Sequence, residues 1–518
     1  MKADVVISGG GPNGLLMACE LALAGVRAIV LERLPERSTM PKANGLVGRV
    51  IPALDRRGLY QVFSGSDQPP MPAPAFQFGA LTLNMSTLDN PSMYILPIPQ
   101  RRIEEILEQR ALEADVDIRR GHEVTALSQN SSGVTIEVNG PDGRYELVAD
   151  YLVAADGGHS VIRKQLGIEF AGITDTSFGG MMGQVGIAAP MAQPNGELEI
   201  PGLGRLKPGT FTRTETGMFA FGMFQPGVYR FGAYEWDRPY VDENAPVSLV
   251  EVGECLSRVL GTDIAVTAPA GGEMLLTRRA SDGINSRQAV HYREGRVFLV
   301  GDAAHVHSGV GGPGLNLGMQ DVLNLAWKLA AQVNGWAPEG LLDTYESERH
   351  PVGARVIMHT RAQSALLSPG PNITALRQLF EELLRNQDNV QHVADLMAGA
   401  DVRYDITCDT PCGHPLAGQW MPDLPLRTEN GETTVTELMR TGRPVLLDLT
   451  GTLAAAAGWS DRVDVVVATA EDAPADGVLI RPDGYVVWAG GADEVQELAT
   501  ALRMWFGAPK AVPAGAQR

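Results

Sequence analysis

In the stretch GGGPNG, Gly9, Gly11 and Gly14 follow the strand-like run DVVIS directly and open the helix-like run NGLLMACELALAG. The first glycine of such a pattern permits a tight turn, and the second lets a pyrophosphate approach the backbone. The third lets helix and strand pack closely, with the helix N-terminus facing the phosphates. Pro12 and Asn13 complete the loop. A second strand-like run, RAIVLER, ends on Glu32 and Arg33, at about the distance expected of an acid that holds a ribose hydroxyl. Strand, turn, helix and acid in this order point to dinucleotide binding. The plain alternative is a glycine turn in an α/β domain that binds nothing.

A second glycine pattern lies in GVGGPGLNLGMQD, Gly309 to Asp321. Eight residues, GDAAHVHS, separate it from the buried-strand run VFLV, and no βαβ unit with a terminal acid follows. Alone it is a poor second nucleotide site. It does offer a glycine-rich loop with free amides and Asn316 at a helix start, an arrangement that favours negative charge. Asp302, at the end of a strand, has the chemistry to hold a sugar-chain hydroxyl.

Those motifs need a scaffold, and the chain has the length for two or three domains: 518 residues, 44% hydrophobic and 20% charged. The opening reads as strand, turn, helix, strand, the start of a doubly wound sheet. Residues 65–99 are rich in proline and methionine and read as an excursion from it. From about Phe178 to Met274 the pattern is alternating and aromatic, with a hairpin expected at Pro226-Gly227. After about Ala400, RPVLLDL, RVDVVVAT and GVLIRPDGYVVWAG read as strands of a small α/β unit. A balance of 42 basic against 61 acidic side chains, −19 net, argues against nucleic acid and anionic membranes as partners. The absence of long apolar runs and of a signal pattern, with only four scattered cysteines, leads to an expectation of a cytoplasmic protein.

Taken together, GGGPNG…VLER, YLVAADGGHSVIRKQLG and VFLVGDAAHVHSGVGGPGLNLGMQDVLNLAWKLA resemble the three fingerprints of the single-component FAD-dependent aromatic hydroxylases. The resemblance runs from about Asp4 to Gly353. KANGLVGR and the tail are similar to the polyketide-tailoring members, which include a Baeyer–Villiger branch. The implied fold is α/β: a Rossmann-like FAD-binding domain (1–175 and 275–400), an inserted β-sheet substrate domain (176–274, with 65–99 contributing), and a thioredoxin-like C-terminal domain (401–518). The last would lack redox chemistry, since TGTLAAAAG stands where Cys-x-x-Cys would be.

The resemblance also implies residue roles. Gly9, Gly11, Pro12, Asn13 and Gly14 would hold the FAD pyrophosphate, Glu32 and Arg33 the adenosine end, and Asp302 the ribityl chain or pyrophosphate. Gly312, Gly314, Leu315 and Asn316 would meet the isoalloxazine, making the two glycine loops two walls of one site. Lys42, Gln100, Arg102 and Val124 complete the cofactor set, and Asp156 would serve both FAD and NADPH. Gly309 and Pro313 depart from the family's usual Pro and Gln, which bears on control of ring movement more than on FAD binding.

Arg49, in GLVGR, is the candidate to position the reacting oxygen or the nicotinamide; otherwise it is a surface helix residue. Phe221, Met223, Tyr234 and Pro313 are the candidate substrate contacts, against the plain reading of Met218 to Trp236 as the core face of a sheet. His305 and His307 are read as structural, and CDTPCGH (Cys408, Cys412, His414) as a loop, so no metal is expected. The implied reaction is insertion of one oxygen of O2 into a bulky aromatic, a polycyclic polyketide above all, through a flavin C4a-(hydro)peroxide, with NADPH or NADH as cosubstrate. Its variants are Baeyer–Villiger oxygenation of a ketone and antibiotic-inactivating hydroxylation. The non-enzymatic rival is a flavin- or drug-sequestering protein. A flavin halogenase would need Trp-x-Trp-x-Ile-Pro, and a disulfide reductase a cysteine pair near the flavin; neither is present. A homodimer is compatible with all of this.

Overall fold

The computed structural model describes residues 2–39, 42–238, 245–270, 274–279, 284–406, 413–453 and 458–510. Cys408 and Cys412, the middle of TGTLAAAAG and the last eight residues lie outside them.

The first sheet is laid down by apolar runs too buried to alternate. Strands Val297–Leu299, Gly143–Ala154, Lys2–Ser8, Ala28–Glu32 and Asp117–Arg120 run side by side and parallel in that order. Glu123–Asn130 and Gly133–Gly140 extend the long strand as antiparallel neighbours. Lys2–Ser8 leads through helix Pro12–Leu23 to Ala28–Glu32 on one side and has Gly143–Ala154 on the other. Its carboxyl end is therefore a point where strand order reverses, the place where open α/β sheets leave a crevice for ligands. Val5, Val6, Ile7, Leu152 and Val153 beneath it are fully buried, which makes the crevice floor rigid.

A second sheet runs Phe211–Arg213, Gly217–Gln225, Val228–Trp236, Phe178–Ile187, then Val266–Thr267. The hairpin at Pro226-Gly227 is present, with Gly227 at φ +75°. One face of this sheet is sealed by helix Leu249–Leu260, whose Ser248 and Glu251 form a reciprocal capping box. Strand Leu276–Arg279 also pairs with Phe178–Ile187, so the sheet runs past the limit at residue 274 that composition suggested. The excursion 65–99 folds over this sheet: Phe211 N donates to Gln77 Oε1 at 2.7 Å.

The chain then returns through helix Pro313–Val333 and the 24-residue helix Thr344–Leu367. The end of the chain forms a four-stranded sheet, Asp464–Val467, Val445–Asp448, Gly477–Ile480, Val486–Gly490, covered by helix Val495–Phe506. A buried ionic cluster joins it to the rest. Glu348 receives Lys328 Nζ at 2.7 Å and Arg481 Nη1 at 2.6 Å, and Arg481 also pairs with Asp483. Burial alone would raise the Glu348 carboxyl, but the two cations outweigh it and hold its pKa at about 2. Among the described residues no helix is long and apolar enough to cross a membrane.

Candidate active site

A cavity of about 1040 Å³ lies between the two sheets, at the crevice end of Lys2–Ser8. Both glycine loops line it: Gly11, Pro12 and Asn13 from the first, and Gly309 to Gly312, Gly314 and Leu315 from the second.

The three glycines of the first loop are required for different reasons. A Cβ on Gly9, at φ +111°, would stand 2.3 Å from the Ala155 carbonyl oxygen, and one on Gly14 would stand 1.9 Å from that of Gly9. These two hold strand, loop and helix at backbone contact. Around Gly11 no atom lies within 4 Å of the corresponding point. Nothing in the protein needs a glycine there, so the space fits a group that must reach the backbone. The helix Pro12–Leu23 has no side chain capping its N-terminus, so its first amides and its dipole are left for an anion. Helix Pro313–Val333 begins the same way: Gly312 at φ +69° caps it without a side-chain bond, and Pro313 is its first residue.

Asn13 links the walls. Its side chain sits where a Cβ on Gly301 or Gly318 would be, 2.0 and 2.3 Å from its Nδ2. Its Oδ1 is buried with no hydrogen-bond partner in the protein. Asn316 is buried beneath the second loop, with Oδ1 accepting from Val47 N at 2.8 Å and Nδ2 donating to Gly312 O. It shapes that wall from behind.

Asp302 opens into the cavity from the turn after Val297–Leu299. Its side chain is exposed to that cavity, whose walls raise its pKa by desolvation, opposed by His305 and Lys42. Lys42 also lines the cavity. Behind Asp302, His305 Nε2 is 2.6 Å from Asp321 Oδ2, and Arg349 Nε donates to Asp321 Oδ1 at 2.8 Å. Asp321 Oδ2 also accepts from Gly301 N at 3.3 Å, which fixes the turn carrying Asp302. His305 therefore has a structural place. His307 reaches the cavity wall. Burial pushes its pKa down to about 4, and its Nδ1 lies 2.9 Å from the Ser308 carbonyl. The ring is neutral with Nδ1–H donating, and Nε2 is left as an acceptor.

The remaining candidates divide. Gln100 lines the cavity, with Nε2 donating to Glu104 at 2.8 Å. Glu32 accepts from Gly10 N at 2.6 Å and Leu34 N at 2.8 Å, which fixes the first loop, and does not itself line the cavity. Asp156 Oδ2 accepts from Val161 N at 2.9 Å, its Oδ1 is buried without a partner, and burial raises its pKa. Its neighbours Ala155 and Gly157 line the cavity. Arg33 is exposed, Arg102 pairs with Glu105 at 3.3 Å, and Val124 is buried in the core. None of these three lines the cavity. Arg49 is not brought to it either. Its Nη2 donates to Ala400 O at 3.2 Å and its guanidinium lies 5.4 Å from the Trp420 ring, because the turn at Gly48 directs it toward the C-terminal unit.

The wall formed by the second sheet follows strand parity. Phe178 and Met182, Met218, Ala220 and Gly222, and Arg230, Gly232, Tyr234 and Trp236 face the cavity. Register pairs them as Met218 with Tyr234, Ala220 with Gly232, and Gly222 with Arg230. Alternate residues face helix Leu249–Leu260. Phe221 borders the cavity, but its ring stacks on Phe219 at 5.4 Å in that second core. Met223 packs there too and does not line the cavity, and Pro313 is buried under the second loop. A bulge between Met223 and Gln225 is the cause. An unbulged hairpin would have paired Tyr234 with Phe219 and put Phe221 and Met223 on the cavity face; one extra residue turns them over. Met218, on the bulged strand, was missed for the same reason, whereas Arg230 and Trp236 share the strand and parity of Tyr234.

Residues 2–360 match the family model described as "FAD binding domain", and residues 414–509 match "Aromatic-ring hydroxylase, C-terminal". The chain is 42% identical, over 98% of its length and 100% of the relative, to the 12-dehydrotetracycline 5-monooxygenase/anhydrotetracycline 6-monooxygenase of Streptomyces rimosus. It belongs to the FAD-dependent aromatic-ring hydroxylases. A further relative of this flavoprotein monooxygenase is the rifampicin monooxygenase of Streptomyces venezuelae, 40% identical over 98% of this chain and 99% of that one. Among solved structures, the OxyS anhydrotetracycline hydroxylase from Streptomyces rimosus superposes with a TM-score of 0.85, at 40% identity, over 98% of this chain and 100% of that one. The cofactor of this monooxygenase is FAD. The open approach at Gly11, the uncapped helix and the unpaired Asn13 Oδ1 are consistent with it.

Proposed function

We propose that this flavoprotein consumes NADPH or NADH and inserts one oxygen of O2 into a polycyclic aromatic of the kind its relatives' names record. The observation that carries the reading is a single cavity with two uncapped helix N-termini on one wall and an aromatic sheet face on the other. When bound, FAD supplies hydride acceptance and oxygen activation.

The chain's own residues supply the rest. The amides of the first loop and the dipole of helix Pro12–Leu23 hold the pyrophosphate. Glu32, already fixed by two backbone amides, accepts from the ribose, and Asp302 from a hydroxyl of the sugar chain. Gly314 and Leu315 present amides to the flavin ring at the start of Pro313–Val333, a position that favours negative charge on it. Phe178, Met218, Tyr234 and Trp236 exclude water from the opposite face and hold an aromatic ring there. His307, neutral at physiological pH, offers Nε2 as an acceptor and adds no charge. The three-unit division also stands as our reading, with the C-terminal unit thioredoxin-like and docked by the Glu348–Arg481 cluster.

The reading is tested by anaerobic reduction of the purified holoprotein with NADPH, with and without a tetracyclic phenol. Faster reduction with the phenol is expected, since one cavity must serve both half-reactions. Equal rates with a phenol that is demonstrably oxygenated would remove the gating from the proposal.

A further inference from the structure

We propose that Gly232 determines substrate size: its missing side chain lets a flat system of fused rings lie on the second sheet. This deepens the functional reading above and rests on it.

Several glycines of this sheet are forced by close approach. A Cβ on Gly180 would stand 2.5 Å from the Tyr234 ring and 2.6 Å from the Ala233 carbonyl oxygen. On Gly183 it would stand 2.3 Å from the Leu275 carbonyl oxygen, and on Gly217 2.1 Å from that of Tyr234. Gly232, on the cavity face of strand Val228–Trp236, is different. Its φ lies outside the left-handed region, and the pairing on both sides of it is regular, with no bulge. An added Cβ would meet nothing nearer than the Tyr234 ring at 3.6 Å and the Met182 side chain at 3.9 Å, which are ordinary contacts. A glycine in mid-strand weakens the strand, and it marks a bulge, a close backbone or a close ligand. The first two are absent at Gly232, which leaves a ligand in the cavity.

The neighbouring strands fix the shape of that ligand. Met182, Gly232, Ala220 and Phe211 are successive cross-strand partners, and all of them line the cavity. With strands about 4.8 Å apart, Met182 and Phe211 rise as rims roughly 14 Å from each other over a floor of one glycine and one alanine. Both rims are held. Tyr234 Oη lies 3.5 Å from Met182 Sδ. Phe211 N donates to Gln77 Oε1 at 2.7 Å, and Gln77 Nε2 donates to Phe211 O at 3.3 Å. The floor ends at an aromatic group, where Phe178 meets Tyr234 and Trp236 edge-on, with ring centroids 5.7 and 5.3 Å apart. Tyr234 and Trp236 are two residues apart, roughly 7 Å along the strand, which is length enough for a phenol of two rings. Gly232 lies the same distance beyond Tyr234. Only a planar occupant with further fused rings must cross it, face down on Gly232 and Ala220.

Binding to the FAD-loaded protein tests this, titrated by perturbation of the flavin absorbance. The probes are 1-hydroxypyrene, with four fused rings, and 2-naphthol, with two. Gly232→Leu is expected to weaken 1-hydroxypyrene roughly 10- to 100-fold, the factor that overpacking one contact carries, and to leave 2-naphthol within about 3-fold of wild type. Gly232→Ala adds one methyl that the sheet accommodates, and should weaken 1-hydroxypyrene by a smaller factor, about 3- to 10-fold. FAD content and melting temperature report folding, and if Gly232→Leu does not fold, Gly232→Ala decides. Failure of wild type to bind either probe, equal weakening of both probes in a folded variant, or unchanged affinity for 1-hydroxypyrene in Gly232→Ala overturns the assignment. The functional reading fails separately, through a wild-type protein that binds 1-hydroxypyrene with this dependence on Gly232 yet oxygenates no aromatic.

Discussion

Alanine at Gly11 and at Gly14 should separate cofactor approach from folding. At Gly14 the new methyl would stand 1.9 Å from the Gly9 carbonyl oxygen, a backbone atom, so helix Pro12–Leu23 must move by more than 1 Å. Overpacking of this sort costs about 1–3 kcal/mol or more. Gly14→Ala is therefore expected to lower apoprotein stability by that amount and to spoil the pyrophosphate site with it. Gly11 has φ −79° and ψ −176°, open to any residue, and nothing within 4 Å of the would-be Cβ. Gly11→Ala should leave apoprotein stability within about 1 kcal/mol of wild type. It should still weaken FAD roughly 10- to 100-fold, by pushing a phosphate off the amides that bind it. Ligand-induced stabilisation makes the contrast large. FAD at 100 times the wild-type Kd should add about 2.7 kcal/mol to wild type, and about 0.4 kcal/mol to a variant that binds 100-fold more weakly. Urea unfolding of apo and FAD-loaded protein measures both quantities. Wild-type FAD affinity in Gly11→Ala, or a loss of apoprotein stability equal to that of Gly14→Ala, would refute the reasoning.

Acid should destabilise the protein between pH 6.5 and pH 4. Burial lowers His359 to about 4, so the unfolded chain takes up a proton in that window and the folded one does not; up to about 3 kcal/mol present above pH 6.5 is lost by pH 4. Unfolding at several pH values should show a shallower slope in His359→Gln, and an unchanged slope would contradict this origin. Asp321→Asn should cost about 3–5 kcal/mol, because Arg349 is left buried without its carboxylate, and calorimetry of the apoprotein reads it. Arg49→Ala should keep the wild-type ratio of product to NADPH consumed while loosening the Ala400 and Trp420 contacts; a rise in hydrogen peroxide release would restore Arg49 to the reacting site.

What the sequence disclosed follows from how local each signal is. The first glycine loop, Glu32 and the helix that stops near Gly25 were legible because strand, turn and helix are contiguous in the chain. The joining of the two glycine loops was legible only through family resemblance, since it depends on Asn13 wedging between Gly301 and Gly318, some 300 residues away. On the second sheet Tyr234 lines the cavity as expected, whereas Met223 does not and the Phe221 ring turns to the other core, because one bulged residue near the turn inverts their strand. Arg49 sits in a suggestive motif, yet its direction is decided by Trp420 and Ala400, which no local pattern connects to it. The Glu348, Arg481 and Asp483 cluster was invisible for the same reason: charges scattered along a sequence read as surface until the fold buries them together.

Isotope incorporation tests oxygen insertion most directly. The FAD-loaded protein is given NADPH, a tetracyclic phenol and ¹⁸O2, and the product is weighed by mass spectrometry. One ¹⁸O per product molecule, drawn from O2 and not from labelled water, is the expected result. A protein that binds FAD and the phenol yet returns the phenol unlabelled, or converts it without gaining oxygen from O2, would contradict assignment of this cavity to monooxygenation.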